Sequence, residues 1–320
     1  MKVKDHIANA IKTKKTEFSF EILPPLKGQN IETIFSHIDP LMEFNPPFID
    51  VTYHREEYIY KERPDGLLEK KIVRKRPGTV GICTAIQNKY QVDAVPHVLC
   101  GGFTKEDTEN FLIDMDFLGI ENVMALRGDA VKSETYFKPN KDGNAYAQDL
   151  VEQIMDLNQG KYLDEDLLNS AKTSFCVGVA GYPEKHLEAP SIESDLHFLK
   201  KKLDAGAEYV VTQMFFDNQK YFDFVARCRK AGITKPIIPG LKPLATKKQL
   251  NLIPQRFSVD MPDTLVKEVI KCKTTEAIRQ VGIEWSIAQS KELIKAGVPV
   301  LHYYSMGKSD NIKKIAATVF

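Results

Sequence analysis

Glu21 stands near the end of Phe18-Ser19-Phe20-Glu21-Ile22-Leu23-Pro24-Pro25, an alternating segment stopped by two prolines. In an extended strand, Phe18, Phe20 and Ile22 face one side while Ser19, Glu21 and Leu23 face the other. A carboxylate at the end of a buried strand is costly unless it is paired or used. Glu21 is therefore either a structural ion-pair partner or an acid in use. Other polar groups recur where apolar segments end: Thr52-Tyr53-His54-Arg55, His97 with Cys100, Arg127-Gly128-Asp129, Tyr182 and His186, then Gln213, Gln249 and Lys308. Carboxylates, histidines, tyrosines and amides dominate this set, and serines are few.

Those residue types restrict the chemistry. A serine nucleophile elbow, Gly-x-Ser-x-Gly, is absent. So is a His-Glu-x-x-His zinc pair. His97, His186 and His302 on separate strands could form a barrel-type metal site, although a singly placed histidine is more often a hydrogen-bonded support or a cofactor contact. Arg127-Gly128-Asp129 delivers a cation and an anion around a residue that lets a ligand approach the backbone. It reads either as a ligand contact or as an internal Arg–Asp pair. Asp195 through Lys202 puts Asp195, Leu199 and Lys202 near one helical face. That face is either solvated or, beside a mouth, suited to a pyrophosphate.

The elements that must position these groups alternate almost throughout. Strands are expected at Phe18–Leu23, Phe48–Tyr53, Val92–Cys100, Asn122–Leu126, Phe175–Ala180, Tyr209–Phe216, Pro236–Pro243 and Val300–Tyr304. Helices are expected at about Asn30–Phe44, Thr79–Tyr90, Thr104–Leu118, Tyr146–Leu157, Ser191–Ala205, Tyr221–Ala231, Lys247–Phe257, Asp263–Cys272 and Thr275–Ala296, with a helical tail after the last strand. Thr104 with Asp107 starts one of them in the manner of a capping box. The segment after Tyr53, including the basic run Lys70–Arg76, reads as a charged loop or solvated helix face, or else a contact for an anionic ligand. Eight strands, most followed by a helix and divided by no linker, predict one (β/α)8 TIM barrel over residues 1–320. An open doubly wound sheet would need a glycine-rich turn after the first strand, and Pro24-Pro25-Leu26-Lys27-Gly28 does not supply one. In a barrel, chemistry sits at the C-terminal ends of the strands, where these polar groups fall.

Composition agrees with a soluble globular chain: 43% hydrophobic, 27% charged, net charge +1. The charge gives no support for nucleic-acid binding. No apolar run approaches the roughly 18 residues of a membrane span. The start of the chain lacks a signal-peptide core, so a cytoplasmic location is expected. Five scattered cysteines make no Cys-x-x-Cys pair and argue against a disulfide framework.

Several motifs together resemble the methylenetetrahydrofolate reductases: Phe18–Pro25, Asp50–Tyr53, Pro96–Cys100, Ala125–Asp129, Gly178–Ala189, Asp204–Asp217, Ile237–Pro243 and His302–Tyr304. Tyr-Pro-Glu-x-His, Ala-Leu-Arg-Gly-Asp and Thr-Gln-x-Phe-Phe-Asp are specific in combination. The resemblance implies a barrel flavoenzyme that takes hydride from NADH or NADPH onto FAD and then reduces 5,10-methylenetetrahydrofolate to 5-methyltetrahydrofolate in a ping-pong reaction. By motif, Glu21 is the catalytic acid that protonates N10, and Asp129 is the aspartate beside flavin and pterin. Gln213, Gln249 and Lys308 match folate-binding positions. Thr52, Tyr53, Arg55, His97, Arg127, Gly128, Asp129, Tyr146, Tyr182, His186, Ala189, Asp195, Lys201 and Lys202 match cofactor-binding positions, Thr52 lying near the nicotinamide. No metal is implied. Departures from the family pattern are Lys308 and Lys201, where arginines stand, Phe198 in place of a polar FAD contact, and His54-Arg55 in place of a small pair. Lysine keeps the charge but loses the bidentate fork. A homo-oligomer is expected by resemblance, and no regulatory domain or feedback by S-adenosylmethionine is expected of a chain that ends soon after the barrel. A barrel hydrolase using His97, His186 and Asp129, or a binding protein on the same fold, are the alternatives.

Overall fold

The alternation along the chain closes into a barrel. The computed structural model describes residues 1–131, 134–305 and 309–320. In order, the elements are α1 (Val3–Thr13), β1 (Glu17–Ile22), α2 (Ile31–Ile38) with a 3-10 turn over Asp39–Phe44, β2 (Phe48–Val51), β3 (Glu57–Glu62), β4 (Leu68–Val73), α3 (Thr79–Tyr90), β5 (Asp93–Leu99), α4 (Lys105–Phe117) and β6 (Asn122–Leu126). There follow α5 (Ala147–Asn158), β7 (Cys176–Gly181), α6 (Ile192–Asp204), β8 (Tyr209–Thr212), α7 (Asn218–Lys230), β9 (Ile237–Ile238), β10 (Gly240–Leu241), α8 (Gln249–Phe257), α9 (Asp263–Lys271), α10 (Thr275–Lys295), β11 (Val300–Tyr304) and α11 (Asp310–Val319).

The main sheet runs β10-β11-β1-β2-β5-β6-β7-β8-β9, all pairs parallel. Its two ends, β9 and β10, are separated by Pro239 alone. Proline has no N–H to give to a ladder, so it divides what is otherwise one strand. Closure is reinforced across this point. The Pro239 carbonyl accepts from His302 N–H at 3.1 Å, the Gly240 N–H donates to Thr212 Oγ1 at 3.0 Å, and the Tyr304 hydroxyl donates to the Thr212 carbonyl at 2.6 Å. The fold is thus the (β/α)8 barrel that the sequence predicts.

Strand alternation sorts side chains into two cores. Phe18, Phe20, Ile22, Ile49, Val51 and Val98 pack outward against the helices. Phe48, Val95, Met124, Cys176, Tyr209, Val211, Ile238 and Val300 fill the interior, closed below by Val3 and Ile7 of α1. Burying each of these large apolar side chains contributes about 1.5–3 kcal/mol. Helix α1 has no counterpart among the sequence expectations. Its first turn is tied in place by Asn122, whose Oδ1 accepts from Val3 N–H at 2.8 Å.

Helix starts follow the sequence closely. Thr104 and Asp107 form the expected capping box, and Ser191 and Thr274 cap α6 and α10. The region read as a charged loop is instead an antiparallel hairpin, β3 with β4. Its turn is Arg63-Pro64-Asp65-Gly66, with Gly66 at φ +77°. Tyr58, Tyr60, Leu68 and Ile72 share one face through their register, but interleaved Lys and Glu hide that alternation in the sequence. The expected strand Tyr209–Phe216 stops at Thr212, and Phe48–Tyr53 stops at Val51.

Candidate active site

Register brings the first cluster together. Glu21 of β1 lies opposite Asp50 of β2, which lies opposite Val95 of β5, so His97 projects inward two residues beyond. The Thr52 hydroxyl donates to Glu21 Oε1 at 2.6 Å. His97 Nε2 sits 3.5 Å from Glu21 Oε2 and 3.6 Å from Asp50 Oδ2. These are ion-pair contacts, longer than a hydrogen bond. Burial pushes the His97 ring down, but the charges of Glu21 and Asp50 outweigh it and hold its pKa above the ordinary value. Ser305 Oγ donates to the Glu21 carbonyl at 2.6 Å and fixes the strand end.

Two further titratable side chains border this cluster. Lys242, just after β10, is driven down to about 8 by burial, against the opposing charge of Glu21. His54 is lowered by burial and by Arg76. Arg76 in turn donates to the Pro24 carbonyl, tying the base of the hairpin to the loop after Glu21. His302, buried below, contacts Ser19 Oγ through Nδ1 at 2.9 Å and is lowered by burial.

The second cluster lies on the strand ends β6 and β7 and on α6. Gly128 has φ +86°, a conformation that a side chain would strain. Arg127 pairs with Glu188 at 2.6 Å, and its guanidinium lies 4.9 Å from the Phe137 ring centroid. Arg55 reaches the other way to Phe137 and pairs with Glu134. Tyr182 and His186 make an edge contact with centroids 4.7 Å apart. Glu188 N–H donates to His186 Nδ1 at 3.1 Å, so that nitrogen carries no proton. Burial and Arg127 lower the His186 pKa, in keeping with a neutral ring. Asp195 accepts from His186 N–H at 3.0 Å. Lys202 donates to the Ala180 carbonyl at 2.6 Å, and burial lowers it to about 8 despite Asp195 nearby. Ala189 N–H donates to the His186 carbonyl, and the Ala189 carbonyl accepts from Lys185.

The remaining expected residues are dispersed around these two groups. Tyr53 packs on Phe103 and Phe111 and accepts from Arg74 at 3.1 Å. Tyr146 caps α5 and is exposed. Lys201 lies over Phe198. Gln213 Oε1 accepts from Met214 N–H at 3.0 Å. Gln249 Oε1 accepts from Ala245 and Thr246 N–H at 2.7 and 3.0 Å. In both, the carbonyl end of the amide is held by backbone N–H groups. Asp129 is close enough to Tyr182 to raise its pKa together with Asp195, burial being the larger cause. Lys308 lies outside the described residues. Among those described, no three potential metal ligands come together, and no helix is long and apolar enough to cross a membrane.

Sequence reasoning missed Asp50, Lys242, Glu134 and Glu188. For Asp50 the signal was present: an acid inside Phe48-Ile49-Asp50-Val51, the same pattern that singled out Glu21. Lys242 offered a weaker version, a lysine between Leu241 and Pro243.

The architecture is a (β/α)8 barrel with an acid–hydroxyl–histidine cluster on one side of its mouth and a set of cationic and aromatic groups on the other. A family model for methylenetetrahydrofolate reductase matches residues 6–319. The chain belongs to the methylenetetrahydrofolate reductase family. It is 32% identical to methylenetetrahydrofolate reductase (NADH) 1 of Arabidopsis thaliana, over 96% of this chain and 48% of that protein. It is 30% identical to 5,10-methylenetetrahydrofolate reductase of Salmonella typhimurium, over 94% of this chain and 90% of that protein. The chain thus spans about half the length of the eukaryotic relative and most of the bacterial one. A solved protein of Clostridium thermocellum, described as binding two copies of 5-methyl-5,6,7,8-tetrahydrofolic acid, shares the fold with a TM-score of 0.61 at 14% identity, over 98% of each chain.

Proposed function

We propose that this chain reduces 5,10-methylenetetrahydrofolate to 5-methyltetrahydrofolate with hydride from NADH or NADPH, using FAD in a ping-pong sequence. The observation that carries this reading is the Glu21 carboxylate, held by Thr52 at the mouth of a barrel that belongs to this family. The residues present fit FAD by their chemistry. Lys202 is a half-buried ammonium whose hydrogen-bond partner among the described residues is one carbonyl, leaving two N–H donors for an anionic group. Gly128, at φ +86°, leaves its stretch of backbone without a side chain, and Arg55, Arg127 and His186 add donors at the rim. When bound, FAD supplies the hydride-carrying chemistry.

The protein's own part is to bind, orient and move a proton. Glu21 gives a proton to N10 of the folate as its ring opens, with the Thr52 hydroxyl fixing which oxygen faces the ligand. Asp129 places a negative charge beside the cationic folate that results. The NH2 groups of Gln213 and Gln249 donate to pterin acceptors. Lys202, Asp195, His186, Tyr182, Arg127, Tyr53, Arg55, Tyr146, Ala189 and Lys201 serve the cofactor, and Lys308 the folate. A cytoplasmic homo-oligomer is the form in which we expect it to act.

Anaerobic stopped-flow mixing tests the reading. Purified protein should carry oxidised flavin or take it up. NADH or NADPH should bleach it, and methylenetetrahydrofolate should restore the colour. Flavin that either nicotinamide bleaches but the folate cannot reoxidise would sink the reading. Comparing the two bleaching rates decides the donor.

A further inference from the structure

Behind Glu21 lies a buried pair, Asp50 and His97. Asp50 is 1% exposed, and its Oδ1 has no hydrogen-bond partner among the described residues. A buried carboxylate without compensation is strongly disfavoured. The groups that face it cannot all compensate. Burial raises the Cys83 thiol of α3 and the hydroxyls of Tyr209 on β8 and Tyr304 on β11, so all three are neutral near pH 7. His302 of β11 is lowered and neutral as well, and its Nε2 has no hydrogen-bond partner among the described residues. His97 is left as the one group at ion-pair distance from Asp50 among the described residues. The pair must therefore hold a proton.

That proton has one other place to go. The His97 Nε2 position carries a single hydrogen, and it lies almost equally far from Asp50 and from Glu21, 3.6 and 3.5 Å. At these distances it is committed to neither carboxylate. On the Glu21 side stand the cation of Lys242 after β10 and His54 after β2, which burial and Arg76 keep neutral.

Resting on the function proposed above, we infer that Asp50 is a positioning residue: it keeps a proton on the His97 ring, and that proton reloads Glu21 after each transfer to substrate. The bond from Nε2 to hydrogen breaks, and one from hydrogen to Glu21 Oε2 forms. The ring is left neutral with a lone pair on Nε2, and water returns a proton to it before the next turnover. Each reduction by a nicotinamide consumes one proton, so the sequence balances. A ligand filling the mouth would keep water from Glu21, and an internal source removes that obstacle.

Histidine ring titration tests this directly. Protein labelled with nitrogen-15 at its seven histidines is followed by long-range proton–nitrogen correlation, with His97→Gln used to assign the His97 signals. A doubly protonated His97 ring at neutral pH in the wild type is expected. Asp50→Asn should lower the ring pKa by at least one unit and move the alkaline limb of folate reduction to lower pH by a similar amount. A merely structural Asp50 would alter stability without moving either. A ring that is neutral throughout pH 6–8 in the wild type overturns the inference, even if the Asp50 variant fails to fold. So does an Asp50→Asn protein whose ring and pH limb stay in place. Lack of folate reduction in the wild type would count against the function itself, and the ring titration would still decide whether the pair stores a proton.

Discussion

The two sides of the barrel mouth are built differently. The acid side, Glu21, Asp50, Thr52 and His97, stands on or within a residue of β1, β2 and β5. Hydrogen-bonded register fixes which of those side chains point inward. The cationic side, Arg127, Tyr182, His186 and Lys202, is carried by strand ends, a loop and one helix, and is held by side-chain contacts such as Arg127–Glu188 and His186–Asp195. A group that must move a proton needs a fixed distance, which strands provide. A group that must hold a large anionic ligand needs donors that can change partners. Arg127 and Arg55 are each paired with a carboxylate, while Lys202 donates to one carbonyl among the described residues. The lesson is that proton chemistry and cofactor retention should be separable by mutation.

The sharpest break in that comparison is Glu21→Gln. Removing a general acid costs about 10²–10⁴-fold. That loss should appear in reoxidation of reduced flavin by folate, with a far smaller change in flavin reduction by nicotinamide, both read by stopped flow. Equal damage to both half-reactions would mean that Glu21 supports the fold or the flavin. On the other side of the mouth, Lys202→Met keeps the stem and removes the charge. Loss of a charge-assisted hydrogen bond is worth about 1.5–3 kcal/mol, so the FAD dissociation constant should rise roughly ten- to a hundredfold by flavin titration. An unchanged constant would remove Lys202 from the cofactor site.

Smaller effects probe the frame that carries both sides. A Cβ on Gly240 would meet the Thr212 carbonyl and the Tyr304 hydroxyl, the bond that spans the closure. Overpacking of this kind costs about 1–3 kcal/mol, so Gly240→Ala should lower the midpoint of thermal unfolding by several degrees. A wild-type midpoint would show that the closure is more compliant than its contacts imply. The smallest effect belongs to Glu184, which accepts from Asp260 N–H at 2.8 Å while burial raises its pKa to about 7. A carboxyl raised in the folded state stabilises only while protonated. Its contribution is full below the unfolded value near 4.5 and is lost as pH rises toward 7. Glu184→Gln should therefore raise the unfolding midpoint at pH 8 by about 2 °C, with no gain at pH 4. Equal gains at both would exclude ionisation as the cause.

Much of the frame was legible because alternation and capping are local. Phe18, Phe20 and Ile22 share one face as their spacing predicts, the face that packs against the helices, and Thr104 with Asp107 makes its box. The β3–β4 hairpin was not legible, since its exposed charges mask a period of two. Pro239 was visible, but that it marks the closing seam of a barrel was not. Of the site, Glu21 and Arg127-Gly128-Asp129 stood out as polar groups at the ends of apolar runs. Asp50 carried the same signal, but a buried acid acquires meaning only from its neighbours.

The sequence by itself determined the order of the eight barrel strands and most of the helices between them, which side chains of a strand share a face and most of the polar groups at the strand ends, because those follow from spacings of a few residues. The tertiary structure alone decided that Glu21, Asp50 and His97 meet. They lie on three strands far apart in the chain, and parallel register across β1, β2 and β5 sets their distances. Register is a property of pairing between strands, and side-chain spacing within one strand does not contain it.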